Sequence, residues 1–200
     1  MEPGAKEQID GRTVRAQRTR QALLDALFSL LEDGELRPTA ERIAERAGVS
    51  ERSVFQHFPD REALYEAVGR RQFERVLTGN VPVDPSRPLP ERVDAFVSQR
   101  CAILEQVTPV ARAALLLEAE SGVVAGWLDT FRRAAAAEVG RVFGPELEQL
   151  KRRERSVLLP ALVSAATWPV WEGYRAHQGL GVERARAAMC RTLAALLGQR

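Results

Sequence analysis

Apolar residues fall at three- and four-residue intervals along almost the whole chain, and no run of β-branched and aromatic residues alternates with polar ones. Residues i, i+3, i+4 and i+7 share one face of a helix, whereas a strand buries every second position. The expected fold is therefore all-α. Leu23, Leu24, Leu27, Phe28, Leu30 and Leu31 make a broad stripe on a first helix of about residues 15–32, stopped at Asp33-Gly34. Further helices are expected at 91–107, 109–120, 123–143, 146–177 and 182–198. Pro109, after its cap Thr108, opens the second of these, and Gly144-Pro145 closes the third.

Residues 79–90, GNVPVDPSRPLP, carry four prolines, which no helix interior tolerates. This stretch reads as a linker between an N-terminal domain, 1–78, and a larger C-terminal helical domain, 91–200, with 1–14 as a flexible arm. Two hundred residues, 45% of them hydrophobic and 28% charged, suffice for a buried core without metals or disulfides. Cys101 and Cys190 stand too far apart in sequence for a CxxC zinc site, form no disulfide framework, and read as small buried hydrophobes of a reducing compartment. No apolar stretch follows the charged segment Met1–Arg20, so no secretory signal and a cytoplasmic location are expected. Ser156–Trp171 is uncharged for sixteen residues but contains Pro160 and Pro169 and follows Lys151-Arg152-Arg153-Glu154-Arg155. A membrane span needs about 20 apolar residues. The segment reads as a buried helix, and no membrane partner is expected.

Charge is distributed unevenly. Residues 1–76 hold 13 Lys plus Arg against 14 Asp plus Glu, yet Arg12, Arg15, Arg18 and Arg20 cluster where no acid occurs between Gly11 and Leu24. Such a cluster suits contact with phosphates. The more specific signal is Thr39–Phe58, TAERIAERAGVSERSVFQHF. Thr39 can cap a short helix with Ile43, Ala44 and Ala47 inside. Gly48 supplies the positive φ of a tight turn, and Ser50 caps the next helix. Val54 and Phe58, four apart, face inward, and Ala44 is small enough for two helices to cross closely. The pattern encodes a helix-turn-helix. It leaves Glu51, Arg52, Ser53, Gln56 and His57 outward, with Phe55 at the margin. In a major groove Arg52 suits guanine, Gln56 adenine, and Glu51 a cytosine amino group. Asp60 can cap a following helix and place Arg61 beside phosphate-favouring amides.

The segment from Arg20 to about Val68 resembles the DNA-binding domain of the TetR/AcrR family of bacterial transcriptional regulators, through Ile43-Ala44, Ala47-Gly48-Val49-Ser50, His57-Phe58 and Arg61-Glu62-Ala63-Leu64. The resemblance implies a homodimer whose helix-turn-helix units enter successive major grooves of a palindromic operator. A helical C-terminal domain would bind a small-molecule effector and pair the subunits. It implies further that Thr39, Ser53, His57 and Arg61 touch phosphates or flank the base readers. Two positions depart from the family pattern: Phe55 replaces the usual tyrosine and forfeits a phosphate hydrogen bond, and Arg52 stands where a small residue is common.

Beyond Pro90 the likeness is one of layout. Ser156–Trp171 and the last helix suit a dimer interface, with Leu158, Leu162, Val163, Trp168, Val182, Met189, Leu193 and Leu196 as candidates. Residues of the right type to line an effector site are Phe96, Cys101, Leu104, Leu116, Trp127, Phe131, Trp168 and Trp171. The tryptophans would suit a flat or cationic compound. No phosphate loop, HExxH or Ser/His/Asp ordering is present, so neither enzymatic activity, metal nor cofactor is expected. The competing reading is a dimeric ligand-binding or interaction module that no longer reads DNA, favoured by the near-neutral N-terminal half, Glu51 and Phe55.

Overall fold

The computed structural model describes residues 4–198, with the side chains of residues 4–10 and of Arg12 outside the description. The described residues form α1 (Gly4–Glu32), α2 (Ala40–Ala47), α3 (Glu51–His57), α4 (Arg61–Gly79) and α5 (Leu89–Leu117). Then follow α6 (Gly122–Val142), α7 (Gly144–Glu148), α8 (Arg152–Ala165), α9 (Trp168–Glu172), a π-helical turn (Gly173–His177) and α10 (Val182–Leu196). No strand occurs among the described residues.

The helix ends differ from the sequence reading in three places. The first helix starts at Gly4 rather than near residue 15, so residues 4–14 are helical instead of an arm; Ala5, Lys6, Glu7 and Gln8 are all good helix formers. Pro109 does not open a helix but lies inside α5. Ile103, Val107, Val110, Ala114 and Leu117 are all buried at helical spacing through it, and burying each of the four larger ones is worth about 1.5–3 kcal/mol. That outweighs the ~3 kcal/mol a mid-helix proline costs. Conversely, 146–177 is not one helix. Glu154 accepts from the Lys151 amide at 3.2 Å and starts α8, while Thr167 is extended and Pro169 sits in the first turn of α9, where its missing N–H costs nothing.

Two compact units result, and their division falls elsewhere than at residues 79–90. The first runs to Gln72 and includes Pro109–Trp127. Its core holds Leu23, Leu27, Leu30, Ile43, Phe58 and Leu64, with α2 packed on α1 and α3. Polar ties fix the helices. Arg46 donates to Ser29 Oγ at 2.6 Å and Asp33 Oδ2 at 2.8 Å, Arg71 to Asp25 at 2.6 Å, and the Tyr65 hydroxyl to the Leu36 carbonyl at 3.0 Å. Burial raises the Tyr65 pKa above the usual phenol value. Arg37 donates to the Leu116 carbonyl and to Glu120, both at 2.9 Å, which ties 109–127 to the N-terminal helices.

The second unit comprises Phe73–Thr108 and Leu128–Arg200. Phe96 and Phe143 meet edge-to-face at 5.3 Å in a core shared by α5, α6, α8 and α10, with Trp171 wholly buried. Arg92, almost fully buried, donates to the Val142 and Arg87 carbonyls, each at 2.8 Å, and grips Glu146 with both guanidinium nitrogens. That grip holds the Glu146 carboxyl below its usual range. Glu105 accepts from Trp171 Nε1 at 2.7 Å and from Arg175 at 2.9 and 3.2 Å, seating α9 and the π turn on α5.

Candidate nucleic-acid interface

The candidate surface is built from two caps and a turn. Thr39 is extended and its hydroxyl accepts from the Arg42 amide at 3.2 Å, starting α2. Gly48 has φ +68° and ends it, and the Val49 amide returns to the Ala44 carbonyl at 3.0 Å. A Cβ at Gly48 would meet no atom within 4 Å, so glycine is required there for its dihedral rather than for space. Ser50 Oγ then accepts from the Ser53 amide at 3.3 Å and starts α3. Val54 and Phe58 are buried, at 4% and 1% exposure.

With those two residues inward, Glu51, Arg52, Phe55 and Gln56 project to solvent, and Ser53 and His57 are half-buried at the edges. Phe55 is 52% exposed, so it belongs to the outward face rather than to its margin. Asp60 Oδ1 accepts from the Ala63 amide at 2.8 Å, capping α4 and leaving Arg61 exposed in its first turn. Arg42 is occupied by Glu45 and Glu35, and Arg46 by Asp33. Arg52 and Arg61 have no ion pair among the described residues. The small net charge of the N-terminal half therefore conceals an exposed cation on α3 and another in the first turn of α4.

The arginine cluster separates by role. Arg15 and Arg18 are exposed on α1, and the side chain of Arg12 lies outside the described residues. Arg20, expected among the phosphate contacts, is turned inward. Its guanidinium donates to the His57 carbonyl at 3.0 Å and lies 4.2 Å from the Phe58 ring centroid. It satisfies a terminal carbonyl of α3, a group that a helix end leaves without an internal partner.

This geometry coincides with a match to known sequences. Residues 23–68 match the model of the bacterial regulatory proteins of the tetR family. They form a TetR-family DNA-binding domain. Nucleoid occlusion factor SlmA of Actinobacillus pleuropneumoniae is 41% identical over 63 residues, and its Haemophilus ducreyi counterpart is 38% identical over 63. The match takes in 30% of this chain and only 31% of each relative. A transcriptional regulator from Rhodococcus sp. RHA1 shares the fold with a TM-score of 0.72 at 18% identity, covering 90% of this chain and 96% of its own. A tetR-family regulator from Streptomyces coelicolor does so at 0.71 and 18%, over 90% and 80%. The TetR-family domain thus continues, in fold, into a helical C-terminal part.

The C-terminal candidates fare unevenly. Phe96, Leu104 and Trp171 are core residues with no surface to offer a ligand. Leu116, 47% exposed, and half-buried Trp127 belong to the first unit. Trp168 is half-buried and donates to Thr108 Oγ1 at 3.0 Å. Cys101 borders an open groove with Asp94 and Glu105, and burial pushes its thiol up to about 12. Phe131 alone lines the cavity of about 170 Å³ in the second unit. Of the interface candidates, Leu162, Met189 and Leu193 are fully buried within the subunit. The inner faces of α8 and α10, which pack on one another, take the largest apolar side chains. Leu158 and Val163 are half-buried, while Val182 and Leu196 are 37% and 36% exposed. Val157, in the same uncharged run, is 68% exposed.

Proposed function

We propose that the protein is a homodimeric repressor that reads a palindromic operator through α3 and leaves it when a small molecule binds the second unit. The observation that carries this reading is the outward face of α3, with Arg52 and Gln56 exposed and Arg61 beside them. Two such helices separated by roughly 34–36 Å, or a multiple, would enter successive major-groove faces. Exposed Val157, Val182 and Leu196 on α8 and α10 favour pairing of the second units. An effector that prefers another arrangement of the pair would release DNA. DNA as partner places its work in the cytoplasm of a bacterial cell.

Selection from random DNA fragments at moderate salt tests the reading. A recovered palindrome supports it. Arg52→Ala and Gln56→Ala are expected to relax preference at particular base pairs, each by about 1–3 kcal/mol. Arg61→Ala is expected to weaken all sequences alike and to flatten the salt slope by about one. Weak, sequence-independent retention would instead favour an interaction module that has lost its operator.

A further inference from the structure

Phe55 stands on α3 with 52% of its surface in solvent. Among the described residues its ring meets no other ring and no cation. The inner side of α3 is taken by Val54, 4% exposed, and by the C-cap Phe58, 1% exposed, so the core of the first unit is closed without it. Phe55 follows Glu51 by four residues and Arg52 by three, and residues so spaced are neighbours on one side of a helix. Both of those are charged and exposed. An apolar ring is thus held in water among charged groups, on the helix that the proposed function places in a major groove. It has no hydroxyl with which to reach a phosphate.

What such a ring can read follows from what the groove displays. Base edges there present nitrogen and oxygen donors and acceptors and a single apolar group, the C5 methyl of thymine. A phenyl ring laid over a donor or acceptor leaves that group without its water and without a partner, which costs free energy. Laid over a methyl, it withdraws apolar surface from water on both sides. The deoxyribose carbons are the same at every position and carry no sequence information. We propose that Phe55 is a specificity-determining residue that reads one thymine in each half-site through its methyl group. This rests on the reading of α3 as the helix that enters the major groove and names a base for it. Side chains three apart on a helix stand about 5–6 Å from each other, and successive base pairs are about 3.4 Å apart. The thymine therefore lies within about two base pairs of the pair that Arg52 reads.

Selection from random DNA with the full chain supplies the preferred duplex, and each thymine in it is then replaced in turn by deoxyuridine, which lacks only the methyl. Anisotropy titration is expected to find one thymine per half-site whose replacement weakens binding about fourfold, the worth of one methyl-sized group withdrawn from water. Replacing both should cost about 15-fold. That thymine should neighbour the base pair whose preference Arg52→Ala relaxes. Phe55→Ala, at an exposed position where alanine suits a helix, should keep the melting temperature and bind the thymine and uracil duplexes within about twofold of each other. The scan on the native chain needs no variant, and absence of any methyl-sensitive thymine in it would overturn the proposal. So would a fourfold loss that persists in Phe55→Ala. Equal weakening of every duplex by Phe55→Ala, with no methyl effect, would put the ring on the sugar-phosphate backbone and overturn it as well. A preferred duplex without a methyl effect leaves the operator reading standing and sinks the assignment of Phe55 alone. Retention of no preferred duplex sinks both.

Discussion

Arg20→Ala separates two roles that a basic residue near a helix-turn-helix can have. In the native structure the guanidinium donates to the His57 carbonyl at 3.0 Å and stacks 4.2 Å from the Phe58 centroid. A hydrogen bond from a charged donor is worth about 1.5–3 kcal/mol, and a partly exposed cation–π contact about 0.5–1 kcal/mol. Because Arg20 is only half-buried, the lower end of both ranges applies, giving about 2 kcal/mol. The loss falls on α3, seven residues long and dependent on its caps. Amide hydrogen exchange along α3 is therefore expected to speed up by about 30-fold, the equivalent of 2 kcal/mol in local opening. Arg20→Lys keeps the charge but loses the planar fork, and should recover less than half of the protection. The salt dependence of DNA binding should keep its slope in both variants. Unchanged exchange in α3 together with a slope lower by about 0.9 would mean that Arg20 contacts a phosphate and does not hold the end of α3.

Gly69→Ala should destabilise the first unit by about 1–3 kcal/mol in urea unfolding. A Cβ there would lie 2.8 Å from Trp127 Cε2, and Trp127→Leu in the same chain should return part of the loss. Arg92→Met strands a partly buried Glu146 and two carbonyls, and should cost about 3–5 kcal/mol; a drop below 1 kcal/mol by the same urea measurement would contradict the network. Cys101, with its thiol at about 12 against an ordinary 9.0, should react with iodoacetamide at pH 8 roughly a thousandfold more slowly than in the unfolded chain. The sign for stability follows from which state loses its proton first. The unfolded thiol ionises near 9 while the folded one stays protonated, so the thermal midpoint should fall as pH rises above 9. Cys101→Ala should weaken that decline.

The helix-turn-helix was legible because its instructions are local. Thr39, Gly48, Ser50 and Asp60 each act on a backbone group within five residues. The contact of Arg20 with the His57 carbonyl was not legible because the two lie 37 residues apart, and a run of arginines gives no hint of which one packs against a neighbouring helix. The same distance hid the cavity. Arg100 and Glu138, which line it, pair across 38 residues and two helices, with nothing in their spacing to join them. Pro109 misled for another reason: the local rule for proline is sound, but burial on either side of it in α5 outweighs that rule.

The route of the backbone also limits how such a protein can be inherited. The chain passes from the first unit to the second after Gln72, returns after Thr108, and leaves again after Trp127. A gene fusion that exchanged DNA-reading parts by one crossover in the codons for 79–90 would carry α1 to α4 to the new host without 109–127. Arg37 would arrive without Leu116 and Glu120, and Gly69 would face whatever side chain the new host supplies in place of Trp127. On the function proposed above, new DNA specificity is more readily acquired by point changes on the outer face of α3 than by shuffling the whole N-terminal part.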